Sequence, residues 1–487
     1  MKKAETQVPL STHFDENITY LQKALRVDKS FDIIHHKLEY GGRKFAMFFV
    51  DGFAKDIITQ RVMQDLADLE EQDLSNNPIE FLVRTVIPYI EVETTSDLEE
   101  VIGQVLAGQA AFIVEGTDQA ILLDVREYPA RSPEEPDIER VVRGPRDGFV
   151  ETLVFNTALI RRRIRDRSLC MEYMQVGQRS KTDIVVAYMD SIADPQLVKK
   201  IKDKLSKIVV DGLAMGEKTV EEFVFGRHLN PYPLVRYTER PDTAAIHLME
   251  GHVLLIIDGS PSIMICPTTF WHHLQHAEEY RQKPLVGAIL RWVRFVAVIS
   301  SLFLLPAWYL VSTNSYLLSE RWSFIGPEEI GSFSLLWQFL IAEVGIEILR
   351  MAAIHTPNAL ATALGLVAAI LIGEVAVDVG VFSKEVILYI AIAATSTFAT
   401  PSYELSLANR ISRVFFLLCA ALFGVWGFVL GIVLWFIYLT ATKALSTPYM
   451  WPLVPFNFSA LYDVLVRAPI PLKRRRPDVL HPQDETK

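Results

Sequence analysis

The sequence predicts an α/β N-terminal region in two subdomains, followed by an α-helical domain that crosses a membrane several times. Three observations carry that expectation. Charged residues are spread through the first part of the chain and become scarce after about residue 285, where long apolar runs take over. Before that point, strand-like runs bounded by glycine turns alternate with charged segments of helical spacing. After it, several segments approach the roughly 20 apolar residues that a spanning helix needs.

Bulk composition averages over these two unlike parts. Half of the 487 residues are hydrophobic, and mean hydropathy is +0.23. Length alone allows two or three domains. A formal net charge of -10 argues against nucleic acid as a partner, since nucleic-acid binders cluster cations. Cys170, Cys266 and Cys419 are odd in number and far apart, with no CxxC pair, zinc spacing or disulfide framework. A reducing compartment suits them. The start, MKKAETQVPLSTHFDENITY, has two lysines with no apolar stretch behind them, so it does not read as a signal peptide. The N-terminal region is therefore expected in the cytoplasm.

Residues 1–137 form the first expected subdomain. Residues 1–30 read as helix or weak order. Segment 31–52 reads as two strands around Gly41-Gly42, followed by a charged helix at about 54–72. A strand at 80–90 and a helix at 97–106 come next. AAFIV and AILLDV then suggest a hairpin through Glu115-Gly116-Thr117-Asp118. An acidic, proline-rich stretch at 129–137 marks a boundary. The second subdomain, 138–280, starts with a helix at 150–166 that ends in Arg161, Arg162, Arg163 and Arg165. Such a patch fits a surface or a domain interface better than a ligand site. A strand at 181–190, a lysine-faced helix at 194–208 and a buried strand at 252–259 complete it.

The transmembrane domain, 281–445, follows the amphipathic segment FWHHLQHAEEYRQKP. Candidate spans are 291–312, 333–352, 359–379, 384–400 and 411–441, giving four to six crossings. The fourth is short and holds Thr395, Ser396 and Thr397, so a re-entrant or broken helix is an alternative. The last is longer than one untilted crossing needs. It is either one tilted helix or a tight hairpin around Gly424, Gly427 and Gly431. Arg281, Lys283, Arg291 and Arg294 place the start of the first span on the cytoplasmic side. Arg350 and His355, then Arg410 and Arg413, mark later cytoplasmic turns. The basic, proline-rich tail, 446–487, also belongs inside. Five simple crossings would leave it outside, so either 411–441 is a hairpin or 384–400 does not cross fully.

No phosphate loop, dinucleotide fingerprint, HExxH or nucleophile elbow is present, so neither an enzyme nor a cofactor is expected. His272 and His276, ahead of Glu278 and Glu279, would share a helix face as metal ligands do. The polarity of a membrane-edge segment anchored by Phe270 and Trp271 explains them more simply, and no metal site is assigned. The acids within the spans carry more weight. Glu343 and Glu347 share a face that Arg350 continues, and Glu374 and Asp378 repeat the spacing. A charge at membrane depth costs about 2.5–3.5 kcal/mol and rarely faces lipid. Two readings stay open. The acids are paired, Glu347 with Arg350 or others with Arg291 and Arg294, or they line a cation path. Small residues crowd the third span, and Gly365, Ala369 and Gly373 are its packing candidates. The cationic tail suits contact with membrane lipid headgroups.

Several ordered motifs resemble one family. They are GPRDGFVETLVFNTALIRRRI (144–164), TERPD (238–242), EGHVLLIIDGSPSIMICPTTF (250–270), EILRMAAIHTPNALATALGLVAAILIGEVAVDVG (347–380) and STPYMWPLVPFNFSALYDVLVRAPIPLKRRRP (446–477). Together they look like the A subunits of the GerA family of spore germination proteins, over about 30–477. The resemblance implies the endospore inner membrane, with the N-terminal domain on the core side. It also implies a homo-oligomer, a pentamer, that conducts cations such as potassium, with accessory membrane subunits as partners. Two departures turn the expectation away from direct nutrient sensing. His355-Thr356-Pro357 stands where receptor subunits have an RxP, and Glu374 stands where they have Gln. On this reading Glu374 and Asp378 attract cations first, then Glu343 and Glu347. The alternative is a non-conducting scaffold that assembles with dipicolinate-release or receptor subunits. A proton-coupled carrier would need a mid-membrane acid, for which Glu343 is the candidate, but no internal repeat supports it.

Overall fold

The computed structural model describes residues 7–54, 56–75, 77–87, 91–126, 139, 141–226, 229–314, 316, 320–329, 331–355, 375–466, 469 and 475–486. The chain forms two compact units. One comprises Met1–Gly226, Val235–Pro267 and Pro471–Lys487, the other Arg227–Leu234 and Thr268–Ile470.

The first unit contains two five-stranded antiparallel sheets. Its first half runs α1 (Phe14–Leu25), β1 (Ile33–Tyr40), β2 (Arg43–Val50), α2 (Asp56–Ala67), α3 (Pro78–Phe81), β3 (Val92–Thr95), α4 (Leu98–Leu106), β4 (Ala110–Val114) and β5 (Ala120–Leu123). Gly41 and Gly42, at φ 51° and 70°, make the two-residue turn that joins β1 to β2. The continuous apolar runs of β4 and β5 follow from helices on both faces. Ala46, Phe48, Ala111 and Ile113 pack toward α1 and α4, while Phe45, Met47, Ala110 and Phe112 pack on the opposite face. Over 80–87, the described part of the strand expected at 80–90, the chain is instead α3 followed by a wide helical turn at Leu82–Val86. Pro78 at the first helical position starts it, and Ile79 and Leu82, one turn apart, are its buried pair. The β-branched run misleads because its burial has helical spacing.

The second half runs α5 (Leu153–Arg163), β6 (Leu169–Val176), β7 (Thr182–Met189), α6 (Pro195–Leu205), α7 (Gly216–Phe225), β8 (Arg236–Thr238), α8 (Pro241–Glu250), β9 (Val253–Ile257) and β10 (Ile263–Cys266). The sheet orders are β1-β2-β4-β5-β3 and β6-β7-β9-β10-β8, so the two halves share one topology. This duplication lies in strand order and burial, with no repeated motif to announce it in the sequence.

The halves are joined through Arg161. Its side chain is 0% exposed and that of Asp32 is 1%. Arg161 Nε donates to Asp32 Oδ2 at 2.8 Å, and Nη2 donates to Asp32 Oδ1 at 3.2 Å and to the Leu169 carbonyl at 3.0 Å. Ser30 Oγ donates to the same carboxylate at 2.8 Å. The arginine cluster therefore includes one residue that is buried at a subdomain junction.

In this second half two buried histidines, His247 and His252, stand with ring centroids 5.0 Å apart. Burial depresses both, His252 to about 3. His252 stays neutral in the fold, while the same side chain in the unfolded chain takes up a proton below about pH 6.5. Stability is therefore complete above that pH and falls as the pH drops toward the folded value. His252 alone costs up to about 1.4 kcal/mol per pH unit in that window. Its Nδ1–H donates to the Pro267 carbonyl at 2.9 Å. His252→Asn keeps a donor and removes the titration, so it should flatten the slope of urea stability against pH between 6.5 and 4.5.

The second unit is helical: α9 (Ala277–Arg281), α10 (Pro284–Thr313), α11 (Leu335–His355), one turn at Ala376–Asp378, α12 (Lys384–Phe398), α13 (Tyr403–Ala441) and α14 (Phe458–Leu465). Among the described residues, α10 and α13 are long and apolar enough to cross a membrane. The chain of α13 doubles back at Gly424, where φ is 58° and ψ -144°. A Cβ on Gly427 would lie 2.2 Å from the Cys419 carbonyl oxygen. In a straight helix these positions are about 12 Å apart. Phe416 and Trp435 meet across the two arms with centroids 5.9 Å apart. Of the two forms expected for this segment, the hairpin is the one adopted.

The ends of the helices sort into two groups. Ser332 N–H donates to the Gly380 carbonyl at 2.8 Å, and Ser383 N–H donates to Gln338 Oε1 at 2.8 Å. Trp308 Nε1 donates to the Ile325 carbonyl at 2.7 Å. These bonds gather the end of α10 and the starts of α11 and α12. At the opposite end, Arg350 near the close of α11 meets Tyr403 at the start of α13.

Candidate functional site

The helical unit buries a line of alternating charge. Glu343, on α11, is 6% exposed, and Arg413, on the first arm of α13, is 2% exposed. Arg413 Nη2 lies 2.7 Å from Glu343 Oε1 and 2.8 Å from Oε2, a forked contact. The other terminal nitrogen, Nη1, donates to the Ser301 carbonyl on α10 at 2.8 Å and to Thr397 Oγ1 on α12 at 3.3 Å. One guanidinium thus ties α10, α11, α12 and α13 together. Helical spacing extends the line. Arg410, one turn before Arg413, lies 3.9 Å from Glu343 and pairs with Glu347. Glu347 in turn holds Arg350, whose guanidinium carbon sits 5.0 Å from the centre of the Tyr403 ring.

Among the described residues this line has two acids and three arginines. With no free carboxylate, its first effect is to fix the four helices in one register. Buried charges are tolerated when every partner is in place.

A second buried pairing closes the other end of α10. Glu279 is 0% exposed, and it pairs with Arg291, at 2.7 Å, and with Arg294. Arg291 also donates to the carbonyls of Asp463 and Val464 at 3.0 and 2.8 Å, which fastens α14. Of the ion pairs expected from sequence, Glu347–Arg350 forms, and among the described residues Arg291 and Arg294 both pair with Glu279. On sequence alone Glu279 stands out only beside the histidines. The nearby Arg291 and Arg294, within a turn of each other at the head of an apolar helix, were the available signal that it had a partner.

The histidine segment is not one helix. Phe270–Leu274 is a 3-10 turn and α9 starts after His276, so His272 and His276 do not share a face. His272 Nδ1 accepts from the Thr269 N–H at 3.0 Å, and His276 Nδ1 accepts from the Glu278 N–H at 3.2 Å, which are capping bonds. No group of His, Cys, Asp and Glu among the described residues is arranged to hold a metal ion. Asp378 is exposed, in the helical turn just before Gly380. Glu374, Gly365, Ala369 and Gly373 lie outside the described residues.

Comparison with known proteins bears on the whole chain. The family described as Bacillus/Clostridium GerA spore germination protein matches residues 19–479. Stage V sporulation protein AF of Bacillus subtilis is 47% identical over 96% of this chain and 95% of its own. Spore germination protein GerLA of Bacillus cereus is 30% identical over 91% of this chain and 90% of its own. The N-terminal domain of the A subunit of the Bacillus megaterium spore germinant receptor GerK3 is 24% identical, with a TM-score of 0.44. It covers 55% of this chain and 99% of that domain.

Proposed function

The chain belongs to the GerA family of spore germination proteins, and from that premise we propose that it is a multi-pass subunit of a homo-oligomeric cation channel in the endospore inner membrane. The observation that carries the multi-pass reading is the reversal at Gly424. With α10, α11, the span expected at 359–379, α12 and the two arms of α13, six crossings return the basic tail to the starting side. Arg281, Lys283 and the arginines of the tail then share the cytoplasmic face. The N-terminal unit lies on the core side, as the family resemblance implies.

Conduction rests on the acid-bearing segment around Glu374 and Asp378 and on the family resemblance. Paired as they are, Glu343 and Glu347 serve the path less directly, by holding the helices around it. Potassium is the proposed ion, a pentamer the proposed assembly, and accessory membrane subunits the proposed partners. The test is potassium efflux from germinating spores that carry the wild-type chain, a deletion, or Glu374→Gln with Asp378→Asn, at matched protein level. Efflux should slow in both altered strains. A double variant that releases potassium as wild type does, beside a slow deletion, removes these acids from the path.

One observation favours a second reading, a non-conducting scaffold for receptor or dipicolinate-release subunits. Glu343, the buried acid among the described residues of α10, α11 and the first arm of α13, is ion-paired. Under that reading the deletion lowers the membrane level of partner subunits, and no acid-to-amide change alters efflux at constant protein level.

A further inference from the structure

Residues 229–234, Leu-Asn-Pro-Tyr-Pro-Leu, follow α7 in the chain yet pack within the helical unit. Tyr232 is 3% exposed. Its hydroxyl lies 2.7 Å from Ser412 Oγ on the first arm of α13 and accepts from Trp435 Nε1 on the second arm at 2.5 Å. Asn230 Oδ1 accepts from the Tyr438 hydroxyl, also on the second arm, at 2.9 Å. A single short segment thus holds both arms of the hairpin. Its own far end is fixed as well, since the Leu234 carbonyl accepts from Thr268 Oγ1 at 2.9 Å. Beyond Leu234 the chain passes through Val235 straight into Arg236–Thr238, the edge strand β8. Pro231 and Pro233 lock φ on both sides of Tyr232, which stiffens the segment.

We infer that residues 229–234 are a latch that sets the spacing of the two arms of α13. A latch matters only if the arms have somewhere to go. Asn409, on the first arm, is 1% exposed, and neither atom of its amide has a hydrogen-bond partner among the described residues. A buried unpaired amide costs about 1–3 kcal/mol, so a shifted first arm that pairs it recovers that loss. The latch regulates conduction only if the channel reading holds, but its hold on the hairpin does not depend on conduction.

The test is hydrogen–deuterium exchange of the full-length protein in lipid nanodiscs, comparing wild type with Tyr232→Phe, Trp435→Phe and the double variant. Tyr232→Phe removes both contacts of the hydroxyl and Trp435→Phe removes one of them, and each keeps an aromatic ring in place. Exchange should rise severalfold in the second arm, 425–441, and the double variant should add little to Tyr232→Phe. Faster exchange confined to 229–234, or full additivity of the two changes, overturns the latch. The readout needs no ion flux, so a chain that conducts nothing still tests it, and a failed latch leaves the potassium experiment untouched.

Discussion

Asp32→Ala will destabilise the first unit by about 3–5 kcal/mol, the range observed when one partner of a buried ion pair is removed. The charge on Arg161 is what makes the change costly. Its side chain is wholly buried, and without Asp32 it keeps only carbonyl acceptors, such as Leu169, and Ser30 Oγ. The urea midpoint of the full-length protein in nanodiscs, followed by exchange in β1 and β6, reads the loss. Asp32→Leu with Arg161→Met removes both charges at similar volume and should recover most of it, because the cost comes from an unpaired charge and not from a missing attraction. Arg161→Lys should stay damaging, since an ammonium cannot reproduce the two-pronged contact with the carboxylate. If the double variant is as unstable as Asp32→Ala, packing and not charge holds this junction.

The junction also shows where sequence reading stops. Strands β1, β2, β4 and β5 were legible because a glycine turn or a short apolar run fixes each one locally. The hairpin in α13 was legible as one of two options, because its length and three glycines are local facts. Choosing between those options required the contact of Gly427 with Cys419, which only the folded chain supplies. Arg161 looked like any member of an arginine cluster. What singles it out is Asp32, 129 residues earlier in the chain. Glu343 has the same history, since Arg413 is 70 residues away and the helical stripe on α11 points only to Arg350. Periodicity tells which face of a helix is polar. It does not tell which other helix will meet that face.

Glu343→Gln should lower the amount of protein in the membrane severalfold, the larger of the effects expected in the helical unit. The change leaves Arg410 and Arg413 with Glu347 as the remaining described carboxylate of the line, and Arg413 sits where four helices converge. Uncompensated charge at that depth is worth about 3–5 kcal/mol. Adding Arg413→Gln to Glu343→Gln restores the balance between the signs, so protein level should return in part even though the tie to Ser301 is weakened. Quantitative immunoblots of spore membranes measure both. The comparison also separates two uses of an acid in one bundle. An acid that lines a path changes efflux at constant protein level, as proposed for Glu374. An acid that holds helices together changes protein level first, and its effect is reversed by removing its partner. If Glu343→Gln leaves the protein abundant and slows potassium release, Glu343 belongs with the path despite its two arginines, and the ion-pair line is part of the conduit rather than its frame.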